Sequence, residues 1–159
     1  MAQLFADENS YEPGAESNSF AVTSVPAVAG NYMLVVLNHN NAGGDKTFSP
    51  PTWNGETIPE LFPPYIAFTD PPSGNNDQFN KSSFFGVVVT TSTTATVAAG
   101  LDGFADGHIS VSVWSEIDTV APASALFSQQ VWSPWSNPSL GVTGVAAGDV
   151  VLTFLAASL

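Results

Sequence analysis

Clusters of Gly, Pro, Asn, Asp and Ser cut this chain into short apolar runs rich in Val, Thr, Phe and Trp, and that punctuation limits its fold more than any other feature. No window of roughly eleven residues or more keeps a helical apolar period free of Pro and Gly. An amphipathic helix longer than a turn or two therefore has nowhere to form. The spacing predicts strands over residues 19–25, 32–38, 46–53, 56–61, 82–90, 93–98, 108–117, 125–132, 141–145 and 149–156. In Ile109-Ser110-Val111-Ser112-Val113 apolar and hydroxyl residues alternate, the two-residue period of a strand with one face on a core. Tyr32-Met33-Leu34-Val35-Val36-Leu37 is apolar without a break, which places that strand centrally, covered on both faces.

Turn chemistry supports the same class. Asn54-Gly55 sits between Thr52-Trp53 and Glu56-Thr57, and this dipeptide readily adopts the two positive φ values of a type I′ hairpin turn. Ala146-Ala147-Gly148-Asp149 reads as a tight link between two late strands, while Pro63-Pro64 and the stretch 70–77 read as long surface loop. No fixed-period repeat and no linker divides the chain. The expectation is an all-β fold, an antiparallel sandwich of jelly-roll-like kind with little or no helix, formed by residues 19–159 behind an extended N-terminal arm, residues 1–18.

Charge narrows the partners. Fourteen acids face two bases, Lys46 and Lys81, for a formal net charge of −12. Neutralising phosphates takes clustered Lys or Arg, so nucleic acid and anionic membrane surfaces are not expected partners. Cysteine is absent, which rules out disulfides and thiolate metal sites. The first residues lack the basic start and long apolar stretch of a secretion signal, and no apolar run reaches the length of a membrane span. A soluble protein made in the cytoplasm is expected.

Catalytic constellations are thin. His39 and His108 are the only histidines, and Asp45, Asp102, Asp106 or Asp118 would have to join one of them with a serine to make a hydrolytic triad. No Gly-x-Ser-x-Gly elbow occurs, so both histidines read as ordinary strand-end or loop residues. Carboxylate pairs for glycoside hydrolysis exist on paper in Glu56 with Glu60 and Asp102 with Asp106. Glu56 follows the hairpin turn and reads as a solvated strand residue. No enzymatic activity and no cofactor are expected. For metal, Asp70 and Asp77 in the 70–77 stretch, and Asp102 and Asp106 beside glycines, offer oxygens that suit calcium. None fits the twelve-residue calcium loop, and Asx-rich turns capping their own backbone explain them more simply.

The order of motifs carries a resemblance. Val25-Pro26-Ala27 closes a strand, Gly30-Asn31-Tyr32-Met33-Leu34-Val35-Val36 follows, and then come Trp53-Asn54-Gly55-Glu56-Thr57-Ile58 and Phe84-Phe85-Gly86-Val87-Val88-Val89. Ala95-Thr96-Val97 and a strand from His108 to Trp114, leading to Ile117-Asp118, complete the set. This resembles a group of β-sandwich domains of tailed-phage virion proteins and secreted bacterial surface proteins, over about residues 19–157. Two departures stand out. Glu116-Ile117-Asp118 replaces the usual Gly-Val-Asp, and the sequence closes on Phe154-Leu155-Ala156-Ala157-Ser158-Leu159, where further strands would be expected. The resemblance implies a structural role without a catalytic residue, most like a capsid decoration (cement) protein. Such a protein is expected to sit on the virion surface in small rings, as trimers, and to touch the major capsid protein.

Two features of the residues themselves also point to neighbours. Sheet edges offer unpaired backbone groups, which monomeric proteins usually blunt with Lys, inward charges or bulges; this chain has almost no Lys, so at least one edge is expected to be covered by a neighbouring subunit. The apolar strand 150–155 must also be buried somewhere. Phe154, Leu155, Leu159, Trp132 and Trp135 are the interface candidates. The rival reading is carbohydrate binding, with Trp53, Trp114, Trp132, Trp135, Tyr65 and Phe62 as stacking rings, although Trp53 flanks a hairpin where cross-strand packing explains it.

Overall fold

The computed structural model describes residues 3–7, 16–41, 46–69 and 78–117. Among these residues the fold is all-β, without helix, and every strand pairing is antiparallel. The strands are β1 (Gln3–Asp7), β2 (Ser17–Ala27), β3 (Tyr32–Asn41), β4 (Thr52–Trp53), β5 (Glu56–Thr57), β6 (Glu60–Thr69), β7 (Gln78–Val88) and β8 (Thr93–Ser115). They join one curled eight-stranded sheet, with β8 common to two wings. The β2 wing sets β2 and the β4–β5 hairpin against Thr93 to Ala105 of β8; the β3 wing sets β1, β3, β7 and β6 around Asp106 to Ser115.

One side-chain parity runs the length of β8. Val97, Ala99, Leu101, Ala105, Ile109, Val111 and Val113 all enter a single core, while Thr96, Asp102, Phe104 and Asp106 stay outside. Strict alternation holds a strand to one core face, so β8 can leave one ladder and enter the next without turning over. The core also takes Phe20, Val22 and Val25 from β2, Met33, Val35 and Leu37 from β3, and Trp53, Ile58 and Phe85. Full burial of each such side chain contributes roughly 1.5–3 kcal/mol. At the hand-over point Gly107 lies under the Phe20 ring, where a Cβ would approach ring carbons to 2.6 Å. Only glycine lets Phe20 pack flush against the crossing.

The 93–98 and 108–117 strands are thus two ends of one strand, because Gly100, Gly103 and Gly107 extend the ladder where composition suggested a loop. Pro63-Pro64 lies within β6, not in a surface loop; the pairing with β7 breaks register between Phe62 and Tyr65. Proline lacks the N–H a ladder needs, and an irregular strand paired on one side tolerates that. Val25-Pro26-Ala27 likewise continues β2 to the Ala27–Thr93 pair; the turn follows at Val28–Asn31, closed by the Asn31 N–H to the Val28 carbonyl at 2.9 Å. The 46–53 strand is reduced to a bridge at Phe48 and to β4, because Pro50-Pro51 interrupts it. Asn54 and Gly55 have φ values of 50° and 79°, as the hairpin reading requires. The strands expected at 125–132, 141–145 and 149–156, the 146–149 link and the 70–77 loop lie outside the described residues. Gln3–Asp7 of the expected arm pairs with Ser112 to Ser115.

Tyr32 and Gly86 make the closest fit away from the core. The Tyr32 ring crosses Gly86 on the neighbouring strand, and a Cβ there would meet both the phenol and Leu61. The Tyr32 hydroxyl is buried without a hydrogen-bond partner, and burial pushes its pKa up to about 12 from 10.0. Gly86→Ala is expected to cost about 1–3 kcal/mol through overpacking, read as a drop in denaturant midpoint; an unchanged midpoint would mean that the ring moves aside freely. Tyr32→Phe removes an unpaired polar group and is expected to leave stability unchanged or raise it, by up to about 1–3 kcal/mol. A raised pKa means that the folded state holds the proton more tightly. Its contribution is therefore present below pH 10 and is lost as pH rises through about 12. Tyr32→Phe should flatten that part of the alkaline unfolding curve.

Candidate functional site

Lys46, Lys81 and His39 converge where β8 changes wings. Lys81 on β7 and His39 on β3 are cross-strand partners on the core side of the sheet, 5% and 1% exposed. The Lys81 ammonium donates to the Lys46 carbonyl at 3.0 Å, and His39 Nε2 lies 3.0 Å from the same oxygen. A protonated Nε2 makes His39 a second donor to it. The Phe48 ring stacks at a tilt on His39, with centroids 5.6 Å apart, and the Lys46 side chain lies along Gly103, where a Cβ would meet its Cε and Nζ at 2.8 Å. Both lysines and one of the two histidines thus hold one corner of the fold together. Sequence reading treated them as unrelated, since β3, β7 and the 46–48 segment meet only through sheet pairing.

The outer face of β8 carries the acids. The Asp102 carboxylate accepts the Thr47 N–H at 3.0 Å, and the Asp102 N–H donates to the Thr47 carbonyl at 3.2 Å. Asp106 is exposed beyond it. Four residues of strand put the two Cα atoms roughly 13 Å apart, too far to share one ion. Among the described residues no group of three or more His, Asp or Glu is placed to hold a metal. Asp70 and Asp77, the other calcium candidates, lie outside the described residues.

His39 faces the core, whereas Asp102 and Asp106 point the opposite way, so the sheet itself separates that histidine from those acids. His108 shares the outer parity with Asp106 and sits beside Asn38, whose Oδ1 accepts the Ser82 hydroxyl at 2.6 Å. Asp45 and Asp118 lie outside the described residues. Glu56 on β5 and Glu60 on β6 are both exposed. Of the rings weighed for sugar stacking, Trp53 is in the core and Trp114 is half-buried, its indole N–H donating to the Ser112 hydroxyl at 2.9 Å. Tyr65 and Phe62 lie on β6. Trp132, Trp135, Phe154, Leu155 and Leu159 are outside the described residues.

What remains open is the outer face of the β2 wing. Thr94, Thr96, Thr23, Thr52 and Thr57 are exposed there, and Phe104, at 61%, stands beyond them at the crossing. A shallow groove of about 310 Å³ runs across this face between Ser19, Ser49, Thr52 and Gly100. Ser49 frames it, its N–H donating to the Gly100 carbonyl at 2.9 Å and its Oγ accepting the Gly100 N–H at 3.0 Å. The arrangement offers hydroxyls, small side chains and one prominent ring, which suit contact with a broad surface. Phe104 is the functional candidate that sequence reading passed over; the signal was an aromatic residue breaking the small, polar parity of the outer face of β8.

Lys81→Met keeps the aliphatic stem but removes the bond to the Lys46 carbonyl. It is expected to cost about 1.5–3 kcal/mol, and Lys81→Ala more, because the packed stem is lost too. Denaturant titrations check both; wild-type stability in Lys81→Met would show that the bond contributes nothing. Comparison of the chain with family models, curated proteins and solved structures finds no match.

Proposed function

We propose that this chain is a structural, non-catalytic protein of a virus particle, decorating the outer surface of a capsid through contacts with the major capsid protein and with copies of itself. The observation that carries the reading is the outer face of the β2 wing. Its exposed side chains are short and mostly uncharged, so covering them costs little rotamer entropy and brings few of the fourteen acids into the contact. Phe104 supplies an apolar anchor of the kind that dominates contact energies. Individually weak contacts of this sort become effective when a lattice repeats them. The resemblance of the motif order to phage virion domains supports the same reading.

The scarcity of Lys, which pointed to a covered edge, is offset in two described edge strands. Among the described residues β2 and β6 each pair on one side, and both carry proline and register breaks in place of Lys. These devices blunt an edge as charge does.

Mass spectrometry of purified particles from the source should find the chain in fixed ratio to the capsid protein; its absence from particles would sink the proposal. Phe104→Ser should weaken co-sedimentation with particles about tenfold while leaving the unfolding midpoint unchanged, because the ring is mostly exposed. Undiminished binding by that variant would move the contact elsewhere. Retention on a glycan array, abolished by Trp132→Ala or Trp135→Ala, would favour the carbohydrate reading instead.

A further inference from the structure

The hairpin tip between β4 and β5 holds a reactive pair of residues in the open. Asn54 and Gly55 form its two-residue loop, both exposed and both in the left-handed region, at φ 50° and 79°. A Cβ placed on Gly55 would meet nothing within 4 Å, so solvent reaches the peptide link between the two residues. Neither the Asn54 amide nor the Gly55 N–H is bonded to a described residue. Gly55 is also the only glycine in the chain that directly follows an asparagine. The Asn54 amide carbon and the Gly55 nitrogen are thus the two partners of a ring closure, with no side chain to shield the nucleophile.

The other described asparagines are held. The backbone amide that follows Asn18 donates to the Ser17 hydroxyl at 3.1 Å. Asn31 Oδ1 accepts the Val28 N–H at 3.0 Å, and Asn38 Oδ1 accepts the Ser82 hydroxyl at 2.6 Å. Asn40, Asn41 and Asn80 sit in the β3–β7 ladder, whose pairing fixes their backbone. By contrast the legs β4 and β5 have two residues each, and so short a ladder opens locally at small cost. Below it, the Ile58 N–H donates to the Pro51 carbonyl at 2.8 Å and Trp53 is buried, so the base of the hairpin stays anchored.

We propose that Asn54 is a self-modification site, at which the folded protein deamidates with water as the only co-reactant. The Gly55 backbone nitrogen attacks Asn54 Cγ, so that an N–Cγ bond forms and the Cγ–Nδ2 bond breaks. The Gly55 amide proton leaves with Nδ2 as ammonia, and a five-membered imide remains. Water then adds to one of the ring carbonyls. Opening at the side-chain carbonyl gives aspartate, and Asp-Gly keeps the type I′ turn. Opening at the main-chain carbonyl routes the backbone through Cβ and Cγ, which lengthens the loop under the Trp53–Glu56 pair by an atom. Either product sets a new carboxylate beside Glu56, on the exposed tip of the hairpin. This inference is independent of the virion reading.

Peptide mapping by mass spectrometry of the full chain, aged in buffer, tests it. Asn54 should gain the mass of an amide-to-acid exchange at least roughly tenfold faster than any other described asparagine, and within roughly tenfold of its own rate in the urea-unfolded chain. A smaller lead over the others, or a larger slowing by the fold, would overturn the proposal. The attacking nitrogen must shed its proton, so the rate should climb from neutral to alkaline pH; a flat profile would mean direct hydrolysis without the ring, and would also overturn it. Asn54→Asp keeps the turn and should abolish the leading mass gain. A gain that persists at the same rate in that variant would refute the assignment.

Discussion

Everything described in this molecule hangs on one unbroken alternation. From Val97 to Val113 the odd-numbered residues of β8 face a single core, and a strand that keeps its parity cannot change the side on which it is buried. Both wings must therefore curl toward the same apolar volume. A one-residue change of this parity would expose half of these side chains and break the connection between the ladders. Gly107 makes the hand-over possible by admitting Phe20 where any side chain would hold it off.

The same crossing organises the charge. A chain with two lysines has few means of holding a polar corner together, and here the Lys46 carbonyl gathers the Lys81 ammonium and the His39 ring from two different strands. Putting an ammonium at 5% exposure is costly unless it is hydrogen-bonded, and the carbonyl meets that condition. Cationic groups are thus drawn into one corner, while Asp102, Asp106, Glu56 and Glu60 remain outside. The described surface is accordingly hydroxyl-rich and acidic. Surfaces of that kind meet partners by breadth and shape more than by a single deep pocket.

Much of the fold was legible from local chemistry. The strand class, the position of β3 at the sheet centre and the Asn54-Gly55 turn follow from side-chain period and backbone preference, which neighbouring residues set for one another. The failures share a cause. Gly100, Gly103 and Gly107 read as loop because glycine is neutral about context, yet here β2, β3 and the 46–48 segment pair with β8 around them. Pro63-Pro64 read as a break because proline cannot donate, yet a strand paired on one side does not need every donor. The candidate site was less legible still. Phe104 stood out only once its parity was known to point away from the core, and no pattern in the sequence joins Lys46, His39 and Lys81.

Periodicity and turn residues alone settled that this chain makes antiparallel strands, and roughly where. Those are properties of a few consecutive residues. Only the tertiary structure decided that two predicted strands are one and that three of the bases meet at its midpoint. Each of these depends on which strands become neighbours, and long-range pairing is chosen by the burial of the whole core rather than by any local stretch.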